Sequence, residues 1–210
     1  MSKLFRMDSP LMRFLTKIAD LMVLNILFCV TGIPLITIGA SWTALYSVTL
    51  KMVRDEEGSV SRSYFRSFRQ NFRQATLLWL GVLVVLALLV LDIRVLNGMA
   101  EGTAPGLLRV GVEILALLGI MVLQYLFPSL ARFEASLADT LKNACMMALA
   151  HLPKTALMTA AAVGAVWITL INNTTIAVGL MVWPLIGFAL MAFGNSGILR
   201  KIFDNYVPKA

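Results

Sequence analysis

Two charged residues, Arg109 and Glu113, stand four positions apart at the start of a long apolar run in this 210-residue chain. On a helix that spacing puts both on one face, within reach of an ion pair. A charge inside a membrane is costly and needs a partner or a wet cavity. The spacing therefore predicts an orientation-locking pair near a membrane surface, or a polar cavity for a substrate or coupled ion. Arg94, near the end of the preceding run, is a third candidate of the same kind. The amides Asn25 and Gln124 also fall in apolar runs, where they read as helix–helix hydrogen-bond glue or as ligand contacts. Asp20 lies near the edge of its run, within reach of Lys17 or Arg13. Trp42, Trp79, Trp167 and Trp183 read as interface anchors, with stacking on a sugar as the second reading.

A different constellation occupies residues 61–74. Phe65, Phe68 and Phe72 fall on one helical stripe, and Arg62, Arg66, Arg69 and Arg73 on another about 120° away. An apolar-aromatic face beside a basic face suits a helix lying in the headgroup layer. It also suits a docking surface for a partner, or packing beneath a bundle. Enzyme chemistry finds no comparable set. His151 is the single histidine and reads as a capping or interfacial residue; Cys29 and Cys145 lack metal-ligand spacing. No catalytic residue, metal site or cofactor is assigned, and an enzyme is not expected.

Composition says what positions these residues. The chain is 59% hydrophobic and 14% charged, with mean hydropathy +0.83. Soluble domains hold roughly 45–50% apolar and about 25% charged residues, so this is a membrane protein. The net charge of +7 sits beside apolar spans and forms no separate basic domain. That points to the anionic inner leaflet and away from nucleic acid. Of the 18 lysines and arginines, all but Arg94 and Arg109 fall in alternate gaps between apolar runs. Basic residues near span ends stay on the cytoplasmic side, so both termini are expected inside. Cys145 then lies in the cytosol and Cys29 in a span, and no disulfide is expected. The basic start and first apolar run resemble a signal peptide. Cleavage is not expected, because the run begins late and carries Asp20 and Asn25.

Ser9-Pro10 reads as an N-cap with proline at the first helical position. The helix enters the bilayer near Ile18 and breaks at Thr31-Gly32-Ile33-Pro34. A second short run covers residues 35–53; a full span needs roughly 17–25 residues, so it crosses tightly or is re-entrant. The amphipathic helix 61–74 follows, then a span at 75–96, an outer loop at 97–106 and a span at 107–127, ending before Pro128. Ser136 with Asp139 resembles a capping box opening a second cytoplasmic amphipathic helix towards Ala150. Spans at 155–171 and 176–195 flank the turn Asn172-Asn173-Thr174-Thr175, and Arg200-Lys201 anchor a tail. The expected fold is all-α: one integral membrane domain over residues 1–210, a bundle of six spans with the first two short. A weak internal repeat relates residues 40–97 to 107–171.

The run Pro34-Leu35-Ile36-Thr37-Ile38-Gly39-Ala40-Ser41 and the run Leu50-Lys51-Met52-Val53-Arg54-Asp55-Glu56-Glu57-Gly58 resemble the YesL family of bacterial integral membrane proteins. Asp8-Ser9-Pro10-Leu11-Met12-Arg13-Phe14, Ala131-Arg132-Phe133-Glu134, His151-Leu152-Pro153-Lys154 and Leu199-Arg200-Lys201-Ile202-Phe203-Asp204 extend the resemblance over nearly the whole chain. Gly194 and Gly197 depart from it, standing where bulkier residues are expected, which bears on the packing of the last span.

The resemblance implies a setting beside carbohydrate importers of the ATP-binding-cassette (ABC) type and two-component regulators. The leading expectation is an accessory or regulatory subunit of such an importer, acting by protein contacts. The permease loop signature, with its Glu-Ala-Ala and downstream glycine, is absent. The alternatives are an autonomous small-solute transporter or channel, and a membrane regulator of a sensor kinase; a homo-oligomer is left open.

Overall fold

The computed structural model describes residues 10–56, 58–99 and 102–206. Helix α1 runs Pro10–Gly32, a 3-10 turn Leu35–Thr37 leads into α2 at Ile38–Met52, and α3 runs Val60–Gly98. Then come α4 (Thr103–Arg132), α5 (Leu137–Ala150), α6 (Leu152–Thr169) and α7 (Asn173–Val182). A π turn at Trp183–Gly187 joins α7 to α8 (Phe188–Phe203). The described residues form no strand, and the N-cap expected at Ser9 lies outside them.

Among the described residues, five helices are long and apolar enough to cross a membrane: α1, α3, α4, α6 and the joined α7–α8. The second short span of the sequence reading is α2, whose 15 residues extend about 22 Å at 1.5 Å per residue. A hydrocarbon core is about 30 Å thick. Helix α2 is the inner strut of the bundle, buried from Gly39 to Met52 on most of its faces. It lies against α1, α3, α4 and α8.

The break between α1 and α2 falls where Pro34 stops the first helix. Side chains satisfy the freed groups. Thr37 donates its hydroxyl to the carbonyls of Thr31 (2.5 Å) and Pro34 (2.7 Å). The Trp79 indole N–H donates to Leu35 O at 2.7 Å. The Thr31 hydroxyl lies 2.6 Å from Tyr64 Oη and 2.9 Å from Ser41 Oγ. Gly39 lets α2 touch α3: a Cβ there would stand 2.5 Å from Ala75 O and 2.6 Å from Trp79 Cβ. The turn therefore sits beside the middle of α3. About 28 Å of that helix lies beyond Trp79.

Two boundaries of the sequence reading move. The Phe/Arg segment is not a separate helix lying flat: α3 is one helix of 39 residues, about 58 Å long. No glycine or proline occurs in α3 before Gly81, so the shift to apolar composition at Ala75 changes the surroundings and not the backbone. Helix α4 likewise passes through Pro128 to Arg132. Proline costs one hydrogen bond there, which membrane helices tolerate when neighbours re-satisfy the freed groups. The segments read as a repeat also take different forms, since α5 and α6 are separated at His151 while their counterpart is continuous.

The cap of α5 follows the expected pattern. Ser136 Oγ accepts from Asp139 N at 3.2 Å and donates to Asp139 Oδ2 at 2.6 Å. At the start of α7, Asn172 and Thr175 form a reciprocal capping box. Arg200 and Lys201 belong to the last turn of α8.

Candidate functional site

The Arg109–Glu113 pair does not form. Arg109 donates instead to the Asn97 side-chain oxygen, closing the α3–α4 hairpin. Glu113 is exposed, and so is Arg94; neither makes an ion pair among the described residues. The cause is their height on the bundle. Residues 74–91 of α3 and 114–131 of α4 carry no Asp, Glu, Lys or Arg. Each stretch is about 27 Å long, close to the roughly 30 Å of a hydrocarbon core. Arg94, Arg109 and Glu113 all lie just past these stretches, at the α3–α4 tip, and none of them lines the central cavity. Lys17 pairs with Asp55 at 2.5 Å. That partner holds the Asp55 carboxyl below its ordinary pKa, chiefly through the hydrogen bond from Lys17.

The two amides occupy the interior. Asn25, fully buried, sits against the π turn. Its Nδ2 donates to Trp183 O at 2.9 Å and Pro184 O at 2.6 Å, and its Oδ1 accepts from Ala189 N at 2.9 Å. Pro184 has no N–H to continue the α-helical ladder. Asn25 thus ties α1 to two carbonyls of the π turn and to an N–H at the start of α8. Gln124 donates to Thr159 Oγ1 at 3.1 Å and accepts from Asn195 Nδ2 at 3.3 Å, and Asn195 also faces Tyr46 Oη at 3.4 Å.

Above this amide group lies a central cavity of about 270 Å³. Its aromatic walls are Phe28, Trp42, Trp79, Phe127, Trp183 and Phe188, and Gln124, Asn195 and Tyr46 form its polar side. Three of the tryptophans expected at span ends therefore line this cavity, half-buried, whereas Trp167 is 69% exposed. Trp42 meets Phe28 edge-on at 5.7 Å, and the Trp183 indole donates to Thr169 Oγ1 at 3.1 Å. The sequence reading missed this cavity because its walls come from six separate segments. Asn195 was the one signal within the last span that escaped it.

The basic segment takes a clear orientation. Helix α3 buries Val60, Tyr64, Ser67 and Ala75 against the bundle. Arg62, Arg66, Arg69 and Arg73 lie roughly 170° round the helix from Tyr64, and all four are exposed. None has an ion pair or side-chain hydrogen bond among the described residues. Phe68 turns towards the core beside Tyr64, with ring centroids 6.3 Å apart. Phe65 and Phe72 remain exposed next to the arginines.

A family model described as "Protein of unknown function, DUF624" matches residues 21–93. The Bacillus subtilis (strain 168) protein titled "Uncharacterized protein YesL" is 28% identical over 159 residues, covering 75% of this chain and 74% of the relative. The chain is thus similar to YesL over three quarters of its length. The segment matched by the family model holds Asn25, the Pro34 break, the Gly39 contact and the whole basic face of α3. No solved structure matches the chain.

Proposed function

We propose that this YesL-like chain is a non-catalytic subunit of a bacterial carbohydrate importer of the ABC type, working through its cytoplasmic face. In this reading both termini are cytoplasmic, and α3, α4, α6 and α7–α8 cross the membrane. The α1–α2 hairpin enters from the cytoplasmic side. Six full crossings would keep the same loop sides, since one re-entrant hairpin replaces two spans. The observation that carries the proposal is the near half of α3: four unpartnered arginines with Phe65 and Phe72, aimed away from the bundle. A surface facing outward in this way serves a partner or the anionic inner leaflet, not the fold. The carbohydrate setting rests on the family resemblance.

The cavity favours the accessory role over autonomous sugar transport. A sugar carries several hydroxyls, each of which must find a partner when it leaves water. The polar groups at this cavity already bond one another, and the remaining walls are hydrocarbon and aromatic. If the cavity does take a solute, an apolar one fits it. A regulator of a sensor kinase would use the same basic face, so the partner's identity separates these readings.

The test is copurification of tagged protein in mild detergent from cells grown on polysaccharide. A stoichiometric importer subunit is the expected companion. Recovery of a sensor kinase would transfer the role to signalling, and recovery of the protein alone would overturn the accessory reading.

A further inference from the structure

The ends of α2, α4 and α8 meet at a small pocket of about 80 Å³ lined by Ser47, Lys51, Arg54, Glu56, Arg132 and Arg200. Four cations and one carboxylate face it. Arg54 and Arg200 are engaged: both pair with Asp204 behind the pocket, and Arg200 donates to Val53 O at 3.0 Å. Lys51 and Arg132 are not. Neither side chain has an ion pair or hydrogen bond among the described residues.

Cations at helix C-termini often serve terminal carbonyls, but here three of those nearby carbonyls already have backbone donors. Lys51 O accepts from Arg54 N and Glu56 N, Met52 O from Asp55 N, and Ser129 O from Phe133 N. Met52 O also receives Lys17 Nζ at 3.3 Å. The fold brings Lys51 and Arg132, from separate helices, to one concavity in which neither reaches the Glu56 carboxylate or another partner among the described residues. The Ser47 hydroxyl supplies a further donor. The pocket is well below the roughly 300–1,000 Å³ of a site for a whole drug-sized ligand, so it suits a single oxyanionic group. Arginine forks match phosphate oxygens in pairs.

We propose that this pocket binds a phosphate group, carried by an anionic lipid headgroup or by a soluble phosphate compound, and that occupancy ties the ends of α2, α4 and α8 together. The proposal is independent of the importer reading, because it concerns different residues.

The test uses full-length protein in a nonionic detergent, with the basic face of α3 neutralised (Arg62, Arg66, Arg69 and Arg73→Gln) so that it does not mask binding. Thermal unfolding is followed while inorganic phosphate, or phosphatidylglycerol in the micelle, is titrated at constant ionic strength. A saturable rise in midpoint is expected. Lys51→Gln and Arg132→Gln should each weaken binding by about tenfold, as for the loss of one charge-assisted hydrogen bond. Glu56→Gln should tighten it. Response to phosphate identifies a soluble source, and response to phosphatidylglycerol alone identifies a lipid. No response to either probe overturns the proposal, as does an affinity unmoved by Lys51→Gln. Should Arg132→Gln fail to fold, the opposite signs expected of Lys51→Gln and Glu56→Gln still decide the matter.

Discussion

The side-chain amide of Asn25 donates to the carbonyl oxygen of Pro184 at 2.6 Å, joining α1 to the one place where the last helix departs from α-helical hydrogen bonding. With the bonds to Trp183 O and from Ala189 N, a single buried amide serves two carbonyls of the π turn and one N–H of α8. In an apolar setting those groups have few other partners.

Replacing Asn25 by Leu removes that service without changing the side chain's bulk greatly. Leaving a buried donor or acceptor unpaired costs about 1–3 kcal/mol. The expected loss is about 2–4 kcal/mol, read from denaturant titration of the detergent-solubilised protein. Asn25→Asp should also destabilise, because a carboxylate cannot donate to Trp183 O or Pro184 O. A Leu variant as stable as the parent would show that the π turn satisfies itself.

Two glycines should respond with opposite signs. Gly39→Ala must push α2 from α3, given the 2.5 Å and 2.6 Å approaches to Ala75 O and Trp79 Cβ. A loss of about 1–3 kcal/mol is expected, as for overpacking. At Gly194 a Cβ meets nothing within 4 Å, and Ala there should stabilise by about 0.5–1 kcal/mol through helix propensity. Melting midpoints of the two variants decide this. The open space also answers the sequence concern over the last span: bulkier residues would fit at Gly194 and Gly197.

Much of this was legible in the residues, for stated reasons. Pro34 cannot continue a helix, Ser136 is a good cap and Asn172 another, so the break, the start of α5 and the start of α7 follow from local chemistry. The continuity of α3 was legible too, in the absence of any glycine or proline before Gly81, but the change of composition at Ala75 looks like a boundary. Glu113 misleads because its four-residue spacing from Arg109 is real while its height on the bundle is set by the hairpin tip. The cavity could not be read. Phe28, Trp42, Trp79, Phe127 and Trp183 are brought together only by tertiary packing, and Asn25 meets Pro184 across more than 150 positions.

Acid should act on the α1–loop tether. Lys17 holds the Asp55 carboxyl below its ordinary value, so the folded state favours the ionised form. The stabilisation is present above the unfolded carboxylate pKa of about 3.9 and is lost as pH falls through the lower folded value. Asp55→Asn should therefore melt below the parent at pH 7, with the gap closing towards pH 2. A constant gap across that range would assign the effect to something other than this carboxyl.

The position of the α1–α2 turn makes a labelling prediction. In the proposed orientation a cysteine at Ile33, on a Cys29→Ser, Cys145→Ser background, resists membrane-impermeant maleimide from outside intact cells. A cysteine at Gly98, on the α3–α4 tip, reacts. Equal labelling at both positions would mean that α1 and α2 cross the membrane fully.

The central claim is that the near half of α3 contacts another protein. A photo-crosslinking amino acid at Phe72, in cells taking up polysaccharide, tests it directly, with the same group at exposed Leu88 on the far half of α3 as the control. The account predicts a discrete protein adduct from Phe72, containing an importer subunit, and none from Leu88. Lipid adducts alone from Phe72, or the same products from both positions, would contradict it.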